Sequence, residues 1–328
     1  MKTVFIGAVE GSARALQALC TAGVAPDLVV TLPLSRAQAH SDFADLGPIA
    51  QAHGIALHRT PRSAAPETLA AIAACAPDLV VIIGWSQLVG AELRAVPRIG
   101  VLGFHPSALP RMRGRAVIPW HILTGQRQGG ATLFWIGAGL DDGPIAAQTV
   151  FDIDPDRITA RALYDRAVTE MVTLLPPLLD DIAHGARPVR PQVEAQATIC
   201  ARRRPEDGLI DWTAPAAQID RLIRAVGPPY PGARSHTSAG MPLTLLRARP
   251  CPEPGRFIGL PGQVQQVGPA GDLAPPCLTV MCGDGHCVDI LDWVCSDPPR
   301  RHEMLGAPPP DLLERRTAWT GLPTTAQS

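Results

Sequence analysis

The sequence predicts an α/β protein: a doubly wound, Rossmann-like domain followed by a small OB-like β-barrel. Three observations carry this. Short apolar runs alternate with helical patterns from Thr3 to His184, the arrangement of a sheet covered on both faces. Residues 78–84 (DLVVIIG) form a continuous apolar run of the kind found in central parallel strands. Beyond Ala216 the pattern changes to one amphipathic helix and five short runs separated by turn residues, which fits a small open barrel.

Taken in order, residues 3–7 read as the first strand and residues 13–22 as a helix with Ser12 as its N-cap. The joining loop, AVEGS, places the backbone N–H groups of Gly11 and Ser12 where a helix start can hold an anion. Residues 28–32 are the second strand. Residues 35–45 are polar and irregular and read as a mobile loop on the substrate side. A short helix at 46–53, a strand at 55–58 and a helix at 66–74 with Pro66 in its first turn follow. After residues 78–84 come two more apolar runs, 101–104 and 130–136, with helical spacing at 117–123 between them. If the two runs are neighbours in one sheet, the loops at their ends bring His105 and Asp141 together at the rim where open α/β sheets bind ligands.

Residues 145–150 return as a strand. Residues 159–184 form a long helix interrupted by Pro176 and Pro177, with Leu163, Ala167, Met171, Leu174 and Leu178 on one face. Residues 185–191 read as the exit from the first domain. Residues 216–226 form a helix that turns Ile219, Leu222, Ile223 and Val226 inward. Strands are expected at 234–237, 241–247, 262–267, 278–282 and 288–294, and the Pro-rich tail after Ser296 as irregular. Cys282 and Cys287 flank GDGH. With His286 they match no common zinc spacing, and a tight hairpin accounts for them. The expected division is residues 1–188 for the first domain, 189–230 for a linker and connecting helix, and 231–328 for the β domain and tail.

A chain of 328 residues is long enough for two cores, and its formal net charge of −1 points to no polyanionic partner. The eight cysteines are scattered and suit reduced, packed thiols. No long apolar segment follows Met1, so neither a signal peptide nor a membrane span is expected, and the cytoplasm is the expected location.

The chemistry concentrates in residues 100–148. A His before Pro or an Asp before Gly is by itself ordinary turn chemistry. Here HPSALPRMRGR is followed by GLDDGPI, and this combination resembles the folate-dependent formyltransferases, whose pattern is N-x-H-P-S-L-L-P, then R-G, then L-D-x-G. In that family an Asn, a His and an Asp transfer a formyl group from 10-formyltetrahydrofolate to an amine. The His falls on His105, the Asp on Asp141, and the Asn on Gly103. The run from Ala197, ATICARRRPEDGLIDWTAPAAQIDRLIRAVGPPYPGA, resembles the linker and first helix of family members with a C-terminal domain, among them enzymes acting on methionyl-tRNA and on nucleotide-linked aminoarabinose.

The resemblance implies that backbone groups of GWSQLVG grip the pterin, which makes Gln87, Leu88 and Val89 folate contacts, with Gly137 and Gly139 in the loop before Asp141. It implies substrate contacts at Gly11 and Ser12, and Arg113 is a candidate for an anionic substrate or the folate tail. Trp85 reads as packing, and Asp142 as solvent-facing or loop-stabilising. No metal ligands are assigned. In formyl transfer, negative charge develops on the carbonyl oxygen and a proton leaves the amine. His105 can donate to that oxygen or handle a proton, and Asp141 can orient the imidazole and accept the amine proton.

Gly103 lacks the family's amide, and one preorganised oxyanion donor is worth roughly 3 kcal/mol. Three accounts stand open: a water or a neighbour such as Gln87 or His121 replaces the donor, the pocket serves a different acceptor or one-carbon reaction, or the site binds without turnover. Compensation ranks first. From Ala186 onward the chain has fifteen Arg against fourteen Asp plus Glu, a balance that does not favour RNA. The expected acceptor is therefore a small amine, an amino sugar on a nucleotide or a biosynthetic amine, with methionyl-tRNA as the alternative. No nucleic-acid or membrane partner is expected, and a homodimer is left open.

Overall fold

The computed structural model describes residues 1–39, 42–253, 255–268 and 276–306. These divide into two compact units. The first comprises Met1–Ile118, Gln126–Asp154 and Ala162–Arg202; the second comprises Pro119–Gly125, Pro155–Arg161 and the described residues from Arg203 onward.

The first unit is built on β1 (Thr3–Ile6), β2 (Leu28–Thr31), β3 (Ala56–Arg59), β4 (Leu79–Ile82), β5 (Gly100–His105), β7 (Gln128–Trp135) and β8 (Ile145–Asp152), with β6 (Arg113–Gly114) lying outside this sheet. The sheet order is β3-β2-β1-β4-β5-β7-β8. The five strands from β3 to β5 are mutually parallel, and β7 and β8 are antiparallel additions. Every residue of β1, β2 and β4 is buried, as expected of parallel strands covered on both faces. Successive side chains alternate between two apolar clusters: Phe5, Leu79, Val81 and Leu102 join Leu16, Met171 and Leu175 on one face, while Val4, Ile6, Val80 and Val101 join Ile72 and Leu93 on the other.

The helices are α1 (Glu10–Thr21), α2 (Gly47–Ala52), α3 (Pro66–Ala74), α4 (Ala91–Ala95), α5 (Val117–Leu123) and α6 (Ala160–Ala183). Two expectations need correcting. α1 begins earlier than expected, with Val9 as the flanking residue. Ser12 therefore lies inside the first turn, where its hydroxyl accepts the Ala8 and Val9 N–H groups and donates to the Ile83 carbonyl at 2.6 Å. α6 is not interrupted at Pro176 and Pro177. Each proline removes one N–H donor, but Met171, Leu175, Leu178, Leu179 and Ile182 are buried along the same face, so packing carries the helix through. Of the expected loop at 35–45, a 3₁₀ turn covers Leu34–Ala39, and His40 and Ser41 lie outside the described residues.

In the second unit α7 (Ala216–Val226) packs on β11 (Pro242–Pro250), and the strands β10 (Ala233–His236), β11, β14 (Cys287–Val294), β13 (Leu278–Met281) and β12 (Val264–Val267) form one antiparallel sheet in that order. The short strand β9 (Ile199–Cys200) belongs to the first unit and pairs with β6. The GDGH segment turns β13 into β14, with the Cys282 N–H donating to the His286 carbonyl. Of the expected tail, residues 307–328 lie outside the described residues. Among the described residues no helix is long and apolar enough to cross a membrane.

Candidate active site

Strand β5 presents Gly103 and His105 on the same face, two residues apart. Its neighbour β7 is antiparallel, with Trp135 opposite Leu102 and Thr132 opposite His105. The exit of β7 therefore lies about 10 Å back along the sheet from His105, at about 3.3 Å per residue. The two strand ends do not meet at one rim, as the sequence led us to expect. Asp141 reaches His105 because the loop after β7 doubles back.

That loop is held at its turning point. Asp141 has φ +48°, a left-handed conformation that a non-glycine residue keeps only where surrounding contacts fix it. Its carbonyl accepts the Gln192 side-chain amide at 2.7 Å, and its Oδ2 accepts the Gly114 N–H at 2.8 Å. Oδ2 also stands 3.6 Å from Nδ1 of His105.

The imidazole is buried, and its Nε2 lies 2.7 Å from the Met112 carbonyl. A carbonyl only accepts, so Nε2 carries the hydrogen. Nδ1 is then the ring atom that gains or loses a proton, and it faces a carboxylate. Burial holds the imidazole below the ordinary histidine range, while the Asp141 charge and the Met112 carbonyl act in the opposite sense. Both ring nitrogens are thus directed at protein groups. His105 is placed to manage a proton through Asp141.

Met112 and Gly114 are themselves clamped. The Met112 N–H donates to Thr198 Oγ1 at 2.8 Å, the Arg113 N–H to the Thr198 carbonyl at 2.8 Å, and β6 pairs with β9. Gly114 has φ +100°, and a Cβ there would meet the Cys200 carbonyl oxygen at 2.6 Å, so glycine is required for this approach.

In front of Asp141 lies a cavity of about 290 Å³ lined by Gly103, Phe134, Ile136 and Asp141 and by two loop segments, Trp85 with Gln87–Val89 and Gly137–Leu140. Gly103, Gln87, Leu88, Val89, Gly137, Gly139 and Asp141 thus converge on one volume. Leu88 is 84% exposed at its edge, an apolar side chain open to a ligand. Gln87 turns its side chain to the protein, accepting the Ser63 N–H and donating to the Pro61 carbonyl, so its contribution to the cavity comes from the backbone edge. Trp85 donates Nε1–H to Ser63 Oγ, which fixes the wall beside it. Asp142 braces the opposite wall: a Cβ on Gly139 would collide with its carboxylate. The volume is at the small end for organic ligands and fits a bicyclic ring with its tail outside.

Three residues expected at the substrate are engaged internally. The Gly11 N–H donates to the Tyr164 hydroxyl at 2.8 Å, and Ser12 is fully buried with its hydroxyl bonded as described. Arg113 is 4% exposed and binds Gln192 and Glu194. Of the two neighbours considered in place of the missing amide, Gln87 is turned away as above, and His121 is buried in the second unit.

The space next to Gly103 is filled by a residue the sequence did not single out. A Cβ on Gly103 would lie 2.9 Å from Cγ1 and Cδ1 of Ile136 and 3.1 Å from Cε1 of Phe134. Gln192 and Thr198 were also missed. They lie in an exit segment without periodicity, and no sequence signal marks side chains whose partners are 51 and 86 residues away. Among the described residues, no group of three or more His, Cys, Asp or Glu side chains is placed to hold a metal.

Comparison with known proteins agrees with this geometry. Residues 9–179 match the formyl transferase family, and residues 203–291 match the formyl transferase C-terminal domain. The methionyl-tRNA formyltransferase of Halorhodospira halophila is 36% identical over 82% of this chain and 86% of its own length, and that of Thiobacillus denitrificans is 33% identical over 88% and 90%. Among solved structures, HypX from Aquifex aeolicus in complex with tetrahydrofolic acid superposes with a TM-score of 0.64 at 19% identity, over 88% of this chain but only 43% of HypX. The N-formyltransferase of Helicobacter canadensis, in complex with folinic acid and dTDP-3-aminofucose, gives 0.57 at 18% identity, over 89% of this chain and 99% of that protein. The family model covers the cavity and the sheet from β2 onward, relatives at 33–36% identity are matched over more than four fifths of both chains, and the chain belongs to the folate-dependent formyltransferases, enzymes of N-formyl transfer.

Proposed function

We propose that the amine of methionyl-tRNA is the acceptor and that His105 and Asp141 are the working pair. The observation that carries the acceptor is the likeness to methionyl-tRNA formyltransferases at 31–36% identity over 82–94% of this chain. The sugar N-formyltransferases share the fold at 17–18% identity. A small-molecule amine is a second reading, favoured by the near balance of fifteen Arg and fourteen acidic residues after Ala186, because phosphate contacts dominate affinity for RNA.

Bound 10-formyltetrahydrofolate supplies the formyl carbonyl. Gln87, Leu88 and Val89 on one wall and Gly137 and Gly139 on the other hold the pterin ring. Oδ1 of Asp141 has no hydrogen bond to any described residue, and it takes the proton that leaves the attacking amine. Nδ1 of His105 can hold that proton in transit from Asp141, and as the bond from the formyl carbon to N10 breaks, the proton passes to N10, so that tetrahydrofolate leaves with N10 neutral. Position 103 contributes backbone only, and Ile136 makes that side of the site apolar. Residues 1–188 carry the folate site and the chemistry, 189–230 the linker and helix, and 231–328 an OB-like domain.

The test supplies purified protein with 10-formyltetrahydrofolate and either methionyl-tRNA or a panel of small amines, and follows release of tetrahydrofolate and the formylated product. Turnover with methionyl-tRNA is expected. Turnover confined to a small amine would establish the second reading, and donor binding without turnover on any amine would overturn both.

A further inference from the structure

Gln192 stands outside the family's Asn, His and Asp, yet its side chain is bonded to both segments that hold the pair. Its amide donates to the carbonyls of Asp141 and Gly143, each at 2.7 Å. Its carbonyl oxygen accepts Nε of Arg113 at 3.1 Å and Nη2 at 3.0 Å. Two donors and two acceptor positions are all an amide has, so every hydrogen-bonding capacity of Gln192 is in use. One half fixes the loop that delivers Asp141. The other half fixes the guanidinium of Arg113, whose chain neighbours are Met112, the acceptor for His105, and Gly114, the donor to Asp141.

We propose that Gln192 is a positioning residue for formyl transfer, and that the segment from Gln192 to Cys200 acts as a strap that sets the separation of His105 and Asp141. Thr198 contributes the second fixing point, through the N–H groups of Met112 and Arg113. Glu194 does not belong to this function. It pairs with Arg113 at 2.9 Å but is 80% exposed, so water replaces it readily. The carboxylate of Asp141 is held through its own backbone. Release of that backbone lets the loop relax from a left-handed conformation, and a misplacement of about 1 Å at a reacting group costs about a hundredfold in rate.

The inference rests on His105 and Asp141 being the working pair, so its test has one readout that needs no acceptor. Gln192→Glu keeps the acceptors for Arg113 and loses both donors to the Asp141 loop, while Gln192→Ala loses everything. For both we expect a drop of about ten- to a hundredfold in kcat, with a smaller change in the KM for 10-formyltetrahydrofolate, because the facing wall, Trp85 with Gln87–Val89, makes no bond to Gln192. Glu194→Gln should leave kcat within twofold. The His105 ring, followed by NMR through a pH titration, should titrate at lower pH in Gln192→Ala, which adds no charge, than in the parent, because burial then acts with less support from the Asp141 charge.

An unchanged ring titration together with unchanged kcat in a folded variant overturns the proposal. A shifted titration in a protein without turnover on any amine keeps the strap and removes the assigned reaction. If both Gln192 variants fail to fold, Thr198→Val, which removes only the acceptor for the Met112 N–H, is read against Thr198→Ser, which keeps it. Loss of kcat in the first with recovery in the second supports the strap, and equal kcat in the two overturns it.

Discussion

Oδ2 of Asp141 accepts the Gly114 amide at 2.8 Å while standing 3.6 Å from Nδ1 of His105, so one carboxylate oxygen serves the backbone and the imidazole together. The other oxygen has no hydrogen bond among the described residues. Asp141→Asn keeps an acceptor for Gly114 but no longer takes a proton. It should fold with a melting temperature near that of the parent and lose between about a hundred- and ten-thousandfold in kcat, the usual contribution of a general base. Single-turnover formation of tetrahydrofolate measures this. A loss smaller than tenfold would remove Asp141 from proton transfer.

The same pair predicts an acid-sensitive fold. Burial holds His105 below its ordinary value in the native state. As pH falls below about 6.5, the unfolded chain takes up a proton that the native state still refuses, and stability declines until the native pKa is reached. The full contribution is present above that window. His105→Gln removes the linkage, so its melting temperature should fall less than the parent's between about pH 7.5 and pH 5.5. Parallel slopes for the two proteins would contradict the assignment.

How far the sequence reached depended on whether the interaction was local. Residues 78–84 announce β4 because a strand buried on both faces needs every side chain apolar, and α3 and α7 begin and end where their caps and periodicity place them. His105 and Asp141 were legible because the family pattern brackets them. The direction of β7 was not, since a short apolar run such as 130–136 reads the same in either orientation, and with it went the route by which Asp141 returns to His105. Ser12 looked like a cap because helix starts favour serine, yet its hydroxyl is drawn to a carbonyl 71 residues away. Arg113 looked solvent-facing or substrate-facing, and it is buried by partners that lie beyond the first domain's expected end.

Gly114 should tolerate no side chain. Its φ of +100° disfavours any side chain, and a Cβ would press on the Cys200 carbonyl at 2.6 Å. Gly114→Ala should lose about 1–3 kcal/mol from backbone strain, and activity should fall with it because the same N–H orients Asp141. Denaturant unfolding measures the first and kcat the second. Full activity in Gly114→Ala would show that the β6–β9 clamp has no part in the chemistry.

Gly103→Asn restores the family residue by composition but not by geometry. Its Cβ would enter space held by Ile136 and Phe134, and overpacking of this kind costs about 1–3 kcal/mol. Alone, Gly103→Asn should lower both melting temperature and kcat. Ile136→Ala opens the space, so Gly103→Asn with Ile136→Ala should exceed Gly103→Asn alone in rate by tenfold or more, a coupling expected between residues in contact. Additive effects on rate would mean that Ile136 does not decide what position 103 can hold.

In the second unit, Asp220 and Arg224 on α7 form an ion pair at 2.8 Å with side chains only 4% and 8% exposed. The structure buries it: Arg224 also donates Nη1–H to the carbonyls of Pro155 and Ile158, and Oδ1 of Asp220 has no partner among the described residues. Burial pushes the Asp220 carboxyl up, against the pull of Arg224. Desolvation makes such a pair a weak net contributor when intact, but removing one partner strands the other charge at a cost of about 3–5 kcal/mol. Asp220→Ala should therefore destabilise strongly. Replacing both residues, Asp220→Leu with Arg224→Met, should recover most of that loss, less the two carbonyl bonds. Chemical denaturation of the parent, Asp220→Leu, Arg224→Met and the double variant gives the coupling directly. A double variant as unstable as Asp220→Ala would show that the Arg224 bonds to Pro155 and Ile158, and not the ion pair, hold this end of the helix.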